Sequence, residues 1–149
     1  MKSSVVLIHA PVEMDSTLKT APPLGLLYLA AVLRTHGFQV ELFDLHHEKT
    51  AWEDVEAAVA SAGACLAGFS CITNNLHRVM HLSGRLLERF PQATVVLGGP
   101  HATQRWEPYV NSRRMVIRDE GEWAMVRLAA CVLRGEGALS AVPGLVYQD

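Results

Sequence analysis

Cys65-Leu66-Ala67-Gly68-Phe69-Ser70 runs straight into Cys71-Ile72-Thr73-Asn74-Asn75, and the change of character at Ser70 decides how the chain folds. The first six residues form an apolar run without alternation, the pattern of a strand covered on both faces of a parallel sheet. From Leu76 the period becomes helical. Leu76, Val79, Met80, Ser83, Leu86 and Leu87 fall on one stripe, and His77, Arg78, His81, Arg85 and Glu88 on the other. Strand, loop and helix in that order make one β–α unit.

The unit recurs in both directions. Val5–His9, Gln39–Phe43, Cys65–Ser70, Thr94–Leu97 and Met115–Arg118 read as strands. A first helix is expected from Pro22-Pro23, where fixed φ suits a first turn, burying Leu26, Leu29, Ala30 and Leu33 and closing at Gly37. A second carries Trp52, Val55, Val59 and Ala62 on one stripe and is expected to stop at Gly63. The third closes at Pro91. A short fourth helix is expected over residues 104–110 and a fifth over 122–134. Alternating strands and helices force right-handed crossovers. The expected fold is therefore α/β and doubly wound: a five-stranded parallel sheet, flavodoxin-like or Rossmann-like, in the order 2-1-3-4-5, with helices on both faces. Ligands of such sheets sit at the C-terminal strand edge, near the switch between strands 1 and 3.

The 149 residues suit one domain, spanning 1–149. A formal charge of -2 leaves no basic footprint for nucleic acid, and no apolar run is long enough for a membrane span. Three cysteines without a close pair argue against a disulfide framework and for the cytoplasm, and they exclude a four-thiolate metal or cluster site within the chain.

Chemistry is expected in the loops after strands 1, 3 and 4. The first, Ala10 to Ala21, is longer than a βα turn needs and lacks the G-x-G-x-x-G fingerprint. After strand 3, the Ser70 hydroxyl can either cap the next helix or face a ligand. A hydrolase elbow is ruled out because Ile72 stands where the second glycine belongs, and a phosphoacceptor receiver because Ser70 replaces the aspartate. After strand 4, Gly98-Gly99-Pro100-His101 lets a ligand or another backbone approach closely.

Together these segments resemble the cobalamin-binding domain of methionine synthase and methylmalonyl-CoA mutase. They are most similar to its variant at the N-terminus of cobalamin-dependent radical S-adenosylmethionine enzymes. Ser70-Cys71-Ile72 matches the family's serine element, and Gly98-Gly99 follows Ile72 by 26 positions. Pro22 to Ala30, Gly98 to Thr103 and Pro143 to Tyr147 match further motifs of the variant, while Arg118-Asp119-Glu120-Gly121-Glu122 departs from Arg-Gly-Glu-Gly-Glu by one residue. The resemblance implies that cobalamin binds with its nucleotide tail buried beside Ser70 and threaded between strands 1 and 3. It implies a cofactor-binding set of Asp15, Thr17, Leu24, Gly25, Ser70, Cys71, Ile72, Thr73, Gly98, Gly99, Pro100, His101, Glu120 and Gly121. It further implies a C-terminal radical domain in the same polypeptide, holding S-adenosylmethionine and a [4Fe–4S] cluster, and a parent reaction of methyl transfer or a related radical rearrangement or cyclisation.

Two family features are absent. No histidine lies between Pro11 and Gly25, so the D-x-H-x-x-G cobalt-ligating motif is missing; the cluster motif C-x-x-x-C-x-x-C is missing too. No residue of this chain is accordingly expected to ligate metal or to be catalytic. Asp44-Leu45-His46 reads as a coincidence on a solvated loop, and His77 with His81 as a solvated helix face. Trp106 and Trp123 read as packing or interface residues. Two rival readings stay open at this level: a flavodoxin-like FMN carrier cradling phosphate with Ser16, Thr17 and Thr20, and an interaction module without ligand.

Overall fold

The computed structural model describes residues 2–12, 21–47 and 49–149. Its strands are β1 (Lys2–His9), β2 (Gln39–Asp44), β3 (Ala62–Ser70), β4 (Ala93–Gly98), β5 (Arg114–Ile117) and β6 (Leu145–Val146). The helices are α1 (Leu24–Thr35), α2 (Trp52–Ser61), α3 (Leu76–Arg89), α4 (Pro100–Gln104) and α5 (Glu122–Ala129), the last continuing as a π-type turn to Arg134. The sheet runs β2-β1-β3-β4-β5-β6. The first five strands are parallel in the expected order. The sixth is an addition: β6 pairs antiparallel with Val116 and Ile117 of β5. Gly144 makes this possible by taking φ +66, which lets the Arg118 N–H donate to its carbonyl at 2.9 Å.

Alternation along β1 divides the core. Val6 and Ile8 pack with Val55 and Val59 of α2 and Val79 and Leu86 of α3. Val5 and Leu7 point the other way, towards Leu26 and Leu33 of α1 and Met125 and Leu128 of α5. Each fully buried Leu or Val contributes about 1.5–3 kcal/mol. On α2 the buried Glu56 carboxylate accepts from Trp52 Nε1 at 2.8 Å and meets Arg85 at 3.2 Å and Arg89 at 3.0 Å, tying α2 to α3.

Two helix boundaries differ from the sequence reading. Gly63 does not stop α2, because the chain passes directly into β3 at Ala62, whose extended backbone ends the helix. The fourth helix starts at Pro100, immediately behind Gly99, and residues 107–109 form a separate 3₁₀ turn. A proline at the first helical position leaves no N–H to satisfy, which permits so early a start.

Candidate functional site

The exits of β3 and β4 lie side by side, with Ser70 paired to Gly98. Beneath them, on the face covered by α1 and α5, is a cavity of about 240 Å³. Leu7, Leu26, Phe69, Val96, Ile117 and Met125 give it apolar walls, while Ser70, Asp119, Glu120 and Glu122 supply polar atoms. Five glycines border it: Gly25, Gly68, Gly98, Gly99 and Gly121. A Cβ at Gly25 would project into open space, one at Gly98 would lie 3.9 Å from the Ile117 carbonyl oxygen, one at Gly68 would come to 3.0 Å from Leu7 Cδ2, and one at Gly121 to 3.5 Å from Leu29 Cδ2. The space therefore exists because side chains are missing around it. A flat, mostly apolar group with a polar attachment, such as the nucleotide tail of cobalamin, fits such a cradle. β1 and β3 pair directly from Ser4–Cys65 to Ile8–Phe69, so a tail cannot pass between them; the space lies on the face of the sheet.

Of the residues expected in the site, Gly25, Ser70, Gly98, Gly99, Glu120 and Gly121 border the cavity. Cys71, Ile72, Thr73, Leu24, Pro100 and His101 do not, and Asp15 and Thr17 lie outside the described residues, as do Ser16 and Thr20. The two glycines of the pair differ in role. Gly98 leaves room, whereas Gly99 takes φ +100 and its Cβ would meet the Cys71 carbonyl at 2.8 Å. Ser70 does not cap the following helix. Nor does the buried Asn75 cap it: its side chain accepts from the Ile72 N–H at 2.9 Å and donates to the Ser70 carbonyl at 3.0 Å, fixing the turn that precedes α3. Sequence reading missed Asn75, Gly68, Asp119 and Glu122. Gly68 was the legible one, since a glycine inside a buried strand marks a close approach.

His101 stands beside the cavity in a polar chain. One ring nitrogen is 3.1 Å from Thr73 Oγ1 and the other 2.9 Å from the Tyr109 hydroxyl. Asp119, the family's glycine position, has φ +64, and its N–H donates to Thr103 Oγ1 at 3.0 Å. Burial pushes the Cys71 thiol up to about 11 and, with Glu41 adding to it, the Cys65 thiol up to about 12. Both therefore keep their protons near neutrality. His77 and His81 are exposed on α3, as expected, and Trp106 packs against the core while Trp123 is exposed.

Asp44 and His46, in contrast, do not lie on a solvated loop. Both are half-buried, with His9 Nδ1 at 3.1 Å from Asp44 Oδ1. Desolvation and then the neighbouring His9 lower the His46 pKa, against opposing effects of Asp44 and the Ala10 carbonyl. The parallel register that sets His9 opposite Asp44 is a tertiary fact that the local motif could not reveal.

Comparison with known proteins agrees with this geometry. An uncharacterized methyltransferase of Pyrococcus horikoshii is 26% identical over all of this chain and 34% of its own length. The cobalamin-dependent radical SAM methyltransferase TokK of Streptomyces tokunonensis is 35% identical over 51% of this chain and 12% of its own. Among solved structures, the cobalamin-dependent S-adenosylmethionine radical enzyme OxsB with aqua-cobalamin and S-adenosylmethionine bound superposes with a TM-score of 0.80 at 18% identity, over 98% of this chain and 21% of OxsB. Its apo form gives 0.67, over 98% and 20%. The chain thus spans about a third or less of these relatives, and the structural likeness is one of fold. No helix among the described residues is long and apolar enough to cross a membrane. The family described as the B12 binding domain matches residues 12–129; this chain belongs to that family, and cobalamin is its cofactor.

Proposed function

We propose that this chain is the cobalamin-holding module of a larger cytoplasmic polypeptide, whose other part carries S-adenosylmethionine and a [4Fe–4S] cluster. We further propose methyl transfer as the parent reaction. The names of TokK and the Pyrococcus relative support this, as does the likeness of fold to OxsB. The observation that carries the module's part is the glycine-bordered cavity at the exits of β3, β4 and β5.

Cobalamin, when bound, supplies a cobalt centre able to carry a methyl group. This chain's own residues hold it. Gly25, Gly98 and Gly121 admit the nucleotide tail, and Leu7, Phe69, Ile117 and Met125 exclude water from it. Ser70 offers a hydroxyl, and Glu120 and Glu122 accept hydrogen bonds at the mouth. Gly99, Cys71, Ile72 and Thr73 frame the β3 and β4 exits, with Pro100 and His101 fixing the start of α4; Leu24 flanks Gly25, and Asp15 and Thr17 are assigned to the cofactor by the resemblance alone. The test is retention. Purified chain incubated with hydroxocobalamin is expected to keep a stoichiometric corrin spectrum after desalting. Retention of FMN instead of the corrin would overturn the reading.

A further inference from the structure

The C-terminal ends of β1 and β2 carry a second polar cluster, which shares no residue with the cavity. His9 and Asp44 are register partners, so their side chains leave the same face of the sheet. His9 Nδ1 lies 3.1 Å from Asp44 Oδ1, and the His46 N–H donates to that same oxygen at 3.1 Å. The second bond is an Asx-type turn that folds the chain back after the strand. It brings the His46 ring to 4.6 Å from the His9 ring, centroid to centroid. One ligand atom from each of the three residues lies within 4.8 Å of the others.

An ion pair between His9 and Asp44 accounts for only part of this arrangement. His46 Nε2 is buried and makes no hydrogen bond of good geometry among the described residues, although the Ala10 carbonyl stands beside the ring. Buried polar atoms are rarely left so, and an unmade bond there asks for a missing partner. Nor does the cluster contain a hydroxyl or thiol for a His–Asp pair to activate.

We propose that His9, Asp44 and His46 form a binding site for one divalent transition-metal ion of the zinc class. Two imidazoles and a carboxylate suit zinc, cobalt(II), nickel or iron(II), whereas magnesium and calcium call for oxygen ligands. Donors around a tetrahedral zinc, each bonded at about 2.0–2.1 Å, stand about 3.3 Å apart; His9 and Asp44 already have that spacing at 3.1 Å, and rotation of the His46 ring completes the set. Three protein ligands leave a position open for water. Such an ion pins the ends of β1 and β2 together just where the long loop to α1 departs.

The chain, stripped with a chelator and never exposed to cobalamin, is titrated with Co²⁺ and then with Zn²⁺. Co²⁺ is expected to give visible d–d bands that Zn²⁺ abolishes. His46→Gln and Asp44→Asn are each expected to weaken binding by at least about tenfold, and His9→Gln with His46→Gln to remove it. His77→Gln with His81→Gln, the exposed pair on α3, is expected to leave it unchanged. Circular dichroism shows whether each variant is folded. No d–d bands in the unaltered chain, or bands lost with the α3 pair and kept in the folded Asp44 and His46 variants, would overturn the proposal. Because no corrin is present, either result is independent of the cofactor reading.

Discussion

The Cys71 N–H donates to the Gly98 carbonyl at 2.7 Å, tying the exits of β3 and β4 together just beyond their last paired residues. The tie draws Cys71 so close to Gly99 that position 99 has no room for a side chain, while position 98 opens onto the cavity.

The two glycines are therefore expected to fail differently. Gly98→Val fills the cavity mouth and is expected to abolish cobalamin retention while leaving the melting temperature nearly unchanged. Gly99→Ala adds a Cβ at a positive φ and against a carbonyl, and is expected to cost about 1–3 kcal/mol in denaturant unfolding. Ser70→Ala removes one hydrogen bond's worth of affinity, about 0.5–1.5 kcal/mol, read by corrin titration. Equal loss of stability at 98 and 99 would contradict the division of roles.

Asp119 occupies the left-handed region, with φ +64. Aspartate tolerates that conformation better than most residues. Asp119→Gly is expected to change stability by less than about 1 kcal/mol, and Asp119→Val to lower it by about 1–2 kcal/mol. Chemical denaturation of the three forms, compared at equal m-value, checks the order.

The thiols should divide by burial. Cys65 and Cys71 are buried and Cys131 half-buried, so Cys131 is expected to react first with a thiol reagent in the native chain, and all three in denaturant. The raised thiol pKa values also set an alkaline limit. An unfolded thiol loses its proton near the ordinary value of 9.0, whereas Cys71 holds it to about 11 and Cys65 to about 12. Above pH 9 the folded state binds more protons, so stability falls as pH rises from there towards 12 and is unaffected by these groups below. A stability curve flat to pH 12 would contradict it. Anaerobic iron and sulfide reconstitution of this chain is expected to yield no stoichiometric cluster.

Bound cobalamin is expected to be base-off without a protein imidazole on cobalt. The stretch from Pro11 to Gly25 has no histidine, both ring nitrogens of His101 are engaged, and His9 faces Asp44. Electron paramagnetic resonance of the Co(II) form should show cobalt lines without nitrogen splitting. A triplet that vanishes in His101→Ala or His46→Ala would refute this.

The five parallel strands were legible because Val, Leu and Ile runs and the helical stripes of α1 and α3 agree locally with the fold. β6 was not, since two residues carry no period and their pairing depends on the turn at Gly144. The site divides along the same line. Ser70 and Gly98 stand out because a break in an apolar run is visible locally. Asn75 looked like an ordinary loop residue, and only the fold shows it buried and bridging Ile72 to Ser70. His9 with Asp44 required the register of β1 against β2, which brings together residues 35 positions apart in the chain.

The passage from α2 into β3 has no connecting loop, and the Ala62 N–H still donates to the Ala58 carbonyl while Ala62 already belongs to the strand. One amide thus serves as the last bond of a helix and the first residue of a central strand. Loosening β3 from that end means unwinding the final turn of α2, so the two elements should open as one cooperative unit. Whatever freedom β3 has must then enter at its other end, at Ser70, where the strand borders the cavity.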